Sequence, residues 1–257
     1  MRYAIIVQAR INSKRLHGKV LKKVNKTSPL QLILDKINYF GLKNKLIIAT
    51  TNLKSDLAII NFCKINRIKY FRGSSENVLE RYYRCSKKFK VKNIIRLTAD
   101  CPLVDMFLLK KMISNFFLKK LDYYSNTYPL PCKYPDGSDI EIFKFTTLLK
   151  AYKKAKLPSE KEHVTNLMYQ DKSNFIKKKN IKNDFSKFRY TIDNMNDFKV
   201  FTKILNDHSY SDIIKFKVID IIKFLKKNKK LISYQSKIKR NYGWSSSLKK
   251  DKIYMKN

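Results

Sequence analysis

The sequence predicts an α/β protein with a mostly parallel, helix-covered sheet, and three observations carry that prediction. Short apolar runs of strand length alternate with longer segments of helical periodicity through the first half of the chain. Polar or acidic turns follow the carboxyl ends of several of these runs, where open α/β sheets bind ligands. At 257 residues and 44% hydrophobic, the chain can also bury a full core.

Taken in order, Ala4–Val7 is a first strand and Leu30–Tyr39 a helix, with Leu30, Leu32, Ile33 and Ile37 on its apolar face. Leu46–Thr50 is a second strand, followed by a helix over Asp56–Asn66. Lys69–Phe71 is a third strand and Val78–Phe89 a helix carrying Arg81 and Arg84. Asn93–Thr98 is a fourth strand, running into Asp100, with a helix over Leu103–Phe117 behind it. The rhythm then loosens. A hairpin or insertion spans Tyr128–Phe145, helices cover Thr146–Ala155 and Glu160–Tyr169, and Arg189–Ile192 reads as a late strand before a helix at Asn196–Leu205. No repeat, low-complexity linker or boundary appears, so residues 1–257 read as one domain, with 122–170 a candidate substrate-side or dimerisation insertion.

A formal charge of +37 would ordinarily point to nucleic acid or an anionic membrane. Here 47 of the 57 basic residues are Lys, the chain is also rich in Ile, Asn, Phe and Tyr, and all of these share A/T-rich codons. The basic residues are spread along the whole length, so charge is poor evidence of a nucleic-acid partner. The cysteines, Cys63, Cys85, Cys101 and Cys132, form no CxxC pair, which fits a reducing cytosol better than a zinc site or a disulfide framework. No signal peptide is visible, and no apolar run approaches the roughly 18 residues that span a bilayer. These features predict a cytoplasmic protein.

The turn after the first strand presents Arg10, Ser13, Lys14, Arg15 and Lys19, with Gly18 beside the last. Cations, a hydroxyl and backbone amides at the end of a strand suit a polyphosphate; a solvated basic turn would look the same in so basic a chain. No GxxxxGK[ST] or GxGxxG motif is present, so phosphate would be held mainly by charge. Asp100, in IIRLTADCPLVD, stands where a magnesium carboxylate belongs, or caps the next helix. Asp193, in FRYTIDNMNDF, repeats the arrangement and makes a candidate pair with it. In YFRGSSENVLERYY, Arg72, Ser74 and Arg81 suit a pyrimidine edge or a ribose, while Ser74 equally suits a helix cap. In PDGSDIEIF, Asp139 and Glu141 share one strand face that suits substrate hydroxyls or solvent, and His163 is one of three histidines.

Together the segments VQARINSKRLHGKVL, IIATTN, FRGSSENVLERYY, IIRLTADCPLVD, YPDGSDIEIF, EKEHVT, FRYTIDNMNDF and NYGWSSSLKKDK resemble, in order and spacing, cytidylyltransferases that activate acidic sugars. The likeness is to the spore-coat polysaccharide biosynthesis protein F type, related to the acylneuraminate and 3-deoxy-manno-octulosonate cytidylyltransferases. It implies a Rossmann-like, glycosyltransferase-A-like three-layer sandwich with a small protruding hairpin, commonly homodimeric. It implies CTP and Mg²⁺, with an acidic sugar attacking the α-phosphorus and pyrophosphate leaving. On this likeness Arg10, Ser13, Arg15 and Lys19 fall on triphosphate-binding positions, Asp100 on the main metal carboxylate, and Asp193 on a second acidic position. Arg10, Lys19 and Asp100 would carry the chemistry. Thr51, Asn52, Ser74 and Arg81 fall in segments lining the nucleotide pocket, and Asp139, Glu141 and His163 would face the acceptor. Three residues depart from the pattern: Asn12 for a glycine, His17 for a proline and Ala99 for a glycine. Another nucleotide, or an acceptor such as a phosphonate, is the alternative within the same fold. A nucleic-acid-binding protein is the alternative from another class, and it leaves the acidic turns at Asp100, Asp139 and Asp193 without a purpose.

Overall fold

The computed structural model describes residues 1–231 and 242–255. Seven strands make one sheet: β1 (Ala4–Gln8), β2 (Leu46–Thr51), β3 (Lys69–Gly73), β4 (Asn93–Thr98), β5 (Tyr123–Ser125), β6 (Glu141–Lys144) and β7 (Ile176–Lys178), in the order β3-β2-β1-β4-β6-β5-β7. β1 pairs in parallel with both β2 and β4, and β2 in parallel with β3. β6 runs antiparallel to β4 and β5, and β7 parallel to β5. The segment expected to form a hairpin thus supplies a strand of the sheet itself. Its partner β5 and the edge strand β7 are short and carry little sequence signal.

β1 reads as an unbroken apolar run because both of its faces are buried. Ile5 and Val7 face one layer, packing with Leu30, Ile33 and Ile37 of α1 (Pro29–Tyr39) and Leu109, Met112 and Phe116 of α4 (Met106–Leu118). Ala4 and Ile6 face the other, with Leu79 and Tyr82 of α3 (Val78–Lys88) and Leu148 of α5 (Phe145–Lys154). α2 (Leu57–Ile65) contributes Ile59 and Cys63 to the first layer. Helix starts follow local chemistry. Ser28 caps α1 with Pro29 in its first turn, Asn77 caps α3, and Asp105 caps α4 by accepting from the Leu108 amide. The Asp105 cap explains why α4 begins at Met106 and not at Leu103.

Two later elements differ from the sequence expectation. Glu160–Tyr169 is two helices, α6 (Pro158–His163) and α7 (Asn166–Gln170), broken at Val164 with φ 62°. The break lets Thr165 Oγ1 donate to Glu141 Oε1 at 2.6 Å, an inward bond that a continuous helix would forgo. Arg189–Ile192 is not a strand. It makes a single bridge, Asp136 with Arg189, because its neighbour is a loop and no strand extends the ladder. Beyond it α8 (Met195–Asp207), α9 (Tyr210–Lys215) and α10 (Val218–Lys227) build a third apolar cluster, with Phe201, Ile204, Ile221 and Leu225 against Leu32. A further helix, Tyr242–Tyr254, returns to pack against α6. Of the resembling tail segment, Asn241 lies outside the described residues, as do the side chains of residues 242–246. No helix of the described residues is long and apolar enough to cross a membrane.

Lys36, fully buried in α1, ties this third cluster to the sheet by donating to the Ile213 carbonyl at 2.8 Å. Burial lowers its ammonium from 10.5 to about 8, with Asp105 opposing the shift. Because the folded chain holds this proton less tightly than the unfolded one, its burial cost is complete below about pH 8 and vanishes above 10.5. Over that window stability rises with pH, at roughly 1.4 kcal/mol per unit. Lys36→Met, compared with the parent by urea unfolding, should therefore lose about 2 kcal/mol of relative stability between pH 7 and pH 10. A difference that does not change with pH would contradict this.

Candidate active site at the carboxyl ends of the central strands

The carboxyl ends of β1, β2 and β4 lie side by side, and the turn after β1 crosses them. That turn closes on one carbonyl: the amides of Ser13 and Gly18 both donate to Ile11 O, at 2.8 and 3.0 Å. It is hung on Asp56, a fully buried residue at the start of α2. Asp56 Oδ1 accepts the Ile11 amide at 2.7 Å, and Oδ2 accepts from Thr50 Oγ1, the Thr51 amide and Thr51 Oγ1 at 2.9, 3.0 and 2.5 Å. The sequence reading missed this residue, since an Asp before a helix looks like an ordinary cap. The same bonds commit the Thr51 side chain to holding the frame. Gly18 adopts φ +66°, the left-handed region that glycine enters freely.

Lys19, 7% exposed, reaches from this turn to the far side of the site. Its Nζ donates to Asp100 Oδ2 and Asp193 Oδ1, both at 3.0 Å, and to the Ile192 carbonyl at 2.5 Å. Burial alone would lower its pKa, yet the two carboxylates raise it above the ordinary lysine value. Arg15 joins Asp193 at 2.9 Å. Burial alone would raise the Asp193 carboxyl, and Lys19, Arg189 and Arg15 together hold it well below the usual carboxylate range. Asp100 and Asp193, distant in sequence, thus meet across one ammonium.

Arg189 is a second residue the sequence reading missed. Its guanidinium donates to Asp193 at 2.7 Å, to Asp197 at 3.1 and 3.2 Å, and to Asp136. Asp197 in turn accepts the Asp193 and Asn194 amides, so its carboxylate shapes the turn that carries Asp193. The loop before β6 packs on the same turn. Gly137, at φ +105°, leaves no room for a Cβ, which would lie 2.5 Å from the Thr191 nitrogen. Next to it Asp139 Oδ2 accepts the Gly137 amide at 3.2 Å and the Cys101 thiol at 3.8 Å, and the same sulfur lies 3.8 Å from Asp100 Oδ1. Asp139 and Asp100 therefore flank the same Cys101 thiol.

The remaining residues divide. Arg10 is exposed on the turn, and Ser13 is half-buried beside it. Asn52 is exposed at the end of β2, its carbonyl accepting from Arg72 at 2.7 Å. Arg81 is 2% exposed with a partnerless Nε, and burial lowers it from 12.5 to about 10, with Arg10 close enough to add to the shift. Ser74 accepts the Asn77 amide at 2.9 Å, the turn role that its position equally suggested. Glu141 is a correction. It is 1% exposed on β6, inside the sheet rather than on a solvent face, and is bound by Arg96, Tyr123 Oη and Thr165 Oγ1. It serves as the internal counterion of Arg96, and it does not share a strand face with Asp139, which precedes β6 in a loop. His163 Nε2 lies 3.0 Å from Ser247 Oγ, so it meets the helix Tyr242–Tyr254; burial lowers its pKa. Neither Asn12 nor Ala99 takes a positive φ, so a side chain costs no backbone strain where the family pattern has glycine. His17 is exposed.

The donors around Lys19 Nζ are hard oxygens, two carboxylates and a carbonyl, which suit Mg²⁺ better than a soft metal. Among the described residues no group of three or more His, Cys, Asp and Glu could hold a metal alone. Two carboxylates completed by phosphate and water is the usual magnesium arrangement.

Residues 4–239 match the family model described as Cytidylyltransferase. An uncharacterised protein of Methanocaldococcus jannaschii is 32% identical over 245 residues, 91% of this chain and 95% of its own length. The spore coat polysaccharide biosynthesis protein SpsF of Bacillus subtilis is 34% identical over 165 residues, 62% of this chain and 67% of its own. A solved cytidylyltransferase from Leptospira borgpetersenii superposes with a TM-score of 0.82 at 28% identity, covering 90% of this chain and 97% of that one.

The Asp56 bonds make a stability prediction. Asp56→Ala leaves the buried Ile11 and Thr51 amides and the Thr50 hydroxyl without their acceptor, and should cost about 3 kcal/mol or more in urea unfolding. A loss below about 0.5 kcal/mol, the usual range for a surface change, would refute the anchoring role.

Proposed function

The chain belongs to the cytidylyltransferase family, and from that premise we propose that it transfers CMP from CTP to an acidic, nonulosonate- or ulosonate-like sugar, releasing pyrophosphate for surface glycan synthesis. The observation that carries this reading is the Asp100–Lys19–Asp193 cluster lying beneath the turn that bears Arg10 and Arg15. A triphosphate resists nucleophiles because its charges repel them. Arg10, Ser13, Arg15 and Lys19 would take the phosphate oxygens and spread the charge that gathers on the leaving pyrophosphate. Asp100 and Asp193 would hold Mg²⁺, which supplies Lewis-acid polarisation of the α-phosphate.

Arg81 suits the nucleotide itself. A buried guanidinium with a partnerless Nε, close to Arg10, is a donor awaiting an acceptor such as a pyrimidine carbonyl. Asn52, exposed at the end of β2, would line the same pocket. Asp139, beside the metal carboxylates, would accept from a hydroxyl of the acceptor and orient it for in-line attack. His163 would support the acceptor side indirectly, by holding the helix Tyr242–Tyr254 against α6. The name of the Bacillus relative, a polysaccharide biosynthesis protein, supports a sugar acceptor. We place the reaction in the cytoplasm, where CTP is made and the four buried free cysteines stay reduced, with the protein acting as a homodimer.

Asp100→Ala should lower CTP-dependent pyrophosphate release at least about a hundredfold while leaving the circular-dichroism spectrum unchanged. Full activity in that variant would sink the metal assignment. A thermal-shift panel of the four NTPs with Mg²⁺ should show the largest stabilisation with CTP, and a larger one with another nucleotide would displace CTP from this reading.

A further inference from the structure

Lys19 Nζ occupies the point where the candidate metal oxygens converge. It lies 3.0 Å from Asp100 Oδ2, 3.0 Å from Asp193 Oδ1 and 2.5 Å from the Ile192 carbonyl. A magnesium ion would need such oxygens at about 2.0–2.1 Å, in the same space. An ammonium and a dication cannot share those ligands, because like charges this close repel strongly. We propose that Lys19 fills the metal position of the free protein as an internal cation and gives it up only to a metal–triphosphate complex, so that the dication does not load alone. The proposal rests on the reading of the site as a metal–nucleotide centre.

Charge supports the exchange. Among the described residues, ion pairs join four carboxylates (Asp100, Asp136, Asp193 and Asp197) to three cations (Lys19, Arg15 and Arg189), a set with a single net negative charge. With a dication in place of the ammonium the same network becomes neutral. The displaced lysine, only 7% exposed, needs a new anionic partner, since a buried unpaired ammonium is costly. A triphosphate on the turn above provides it, and free metal does not. The move asks only that the flexible four-carbon stem of Lys19 change rotamer, since the Gly18 backbone beside it is held by hydrogen bonds to Ile11, Leu21 and Lys22. The same lysine would then bridge the two carboxylates before metal loads and bind phosphate afterwards.

The test is Mn²⁺ binding, followed by the loss of free-ion paramagnetic resonance signal, on the full chain without nucleotide. Wild-type protein should bind Mn²⁺ weakly, and Lys19→Met should bind it at least about tenfold more tightly, an affinity lost again in Lys19→Met with Asp100→Asn. Equal affinity in wild type and Lys19→Met would overturn the proposal. Should Lys19→Met fail to fold, wild type alone decides, after subtracting the signal that the polyphosphate removes by chelating Mn²⁺ without protein: protein-bound Mn²⁺ raised at least about tenfold by CTP or by tripolyphosphate sustains the proposal, and binding unchanged by both overturns it. Inorganic tripolyphosphate is titrated in parallel. Metal loading promoted by tripolyphosphate but not by CTP would sustain the lysine exchange while refuting CTP as the substrate.

Discussion

The contact on which the site depends is the ammonium of Lys19 held between Asp100 and Asp193. It joins residues up to 174 positions apart, drawing the turn after β1, the end of β4 and the turn before α8 to one point. Such a contact is worth little at a surface, where water screens it. Here the lysine is nearly buried, so its charge must be matched and the carboxylates cannot drift without leaving it unpaired. A group of like charges is thereby set at close range before any ligand arrives.

Around that contact the work is divided among residues that never meet a substrate in this arrangement. Asp56 fixes the turn from below by accepting the Ile11 amide together with the Thr51 amide of β2. Arg189 fixes Asp193 from the side and, through Asp136, ties the loop carrying Asp139 to the same turn. Arg96 and Glu141 fill a corresponding role between β4 and β6. Each is a charged group held inside the protein by internal partners, which offset the cost of taking it out of water. Arg10, by contrast, is exposed on the turn.

The overall charge has less to do with this than its size suggests. Most of the 57 basic residues lie on the surface or along helices, whereas the site is a near-balanced mixture of cations and carboxylates. A surface surplus raises the concentration of anions near the protein without selecting among them.

The sequence by itself determined the parallel half of the sheet. Ala4–Gln8, Leu46–Thr51 and Asn93–Thr98 are buried on both faces, so their apolar runs survive any detail of the tertiary structure. It also marked the turns whose charges the fold gathers, because Lys19, Asp100 and Asp193 each stand in a polar turn beside an apolar run. Only the tertiary structure decided how they meet. Nothing local distinguishes Asp193, which joins the cluster, from Asp197, which shapes its turn, or Asp139 beside the site from Glu141 inside the sheet. Period-two alternation placed Asp139 and Glu141 on one face, but alternation holds only within a strand, and the strand begins at Glu141. Asp56 and Arg189 each have local partners too, but the bond that ties each to another part of the site reaches 45 and 53 positions away, to Ile11 and Asp136, and nothing local announces it.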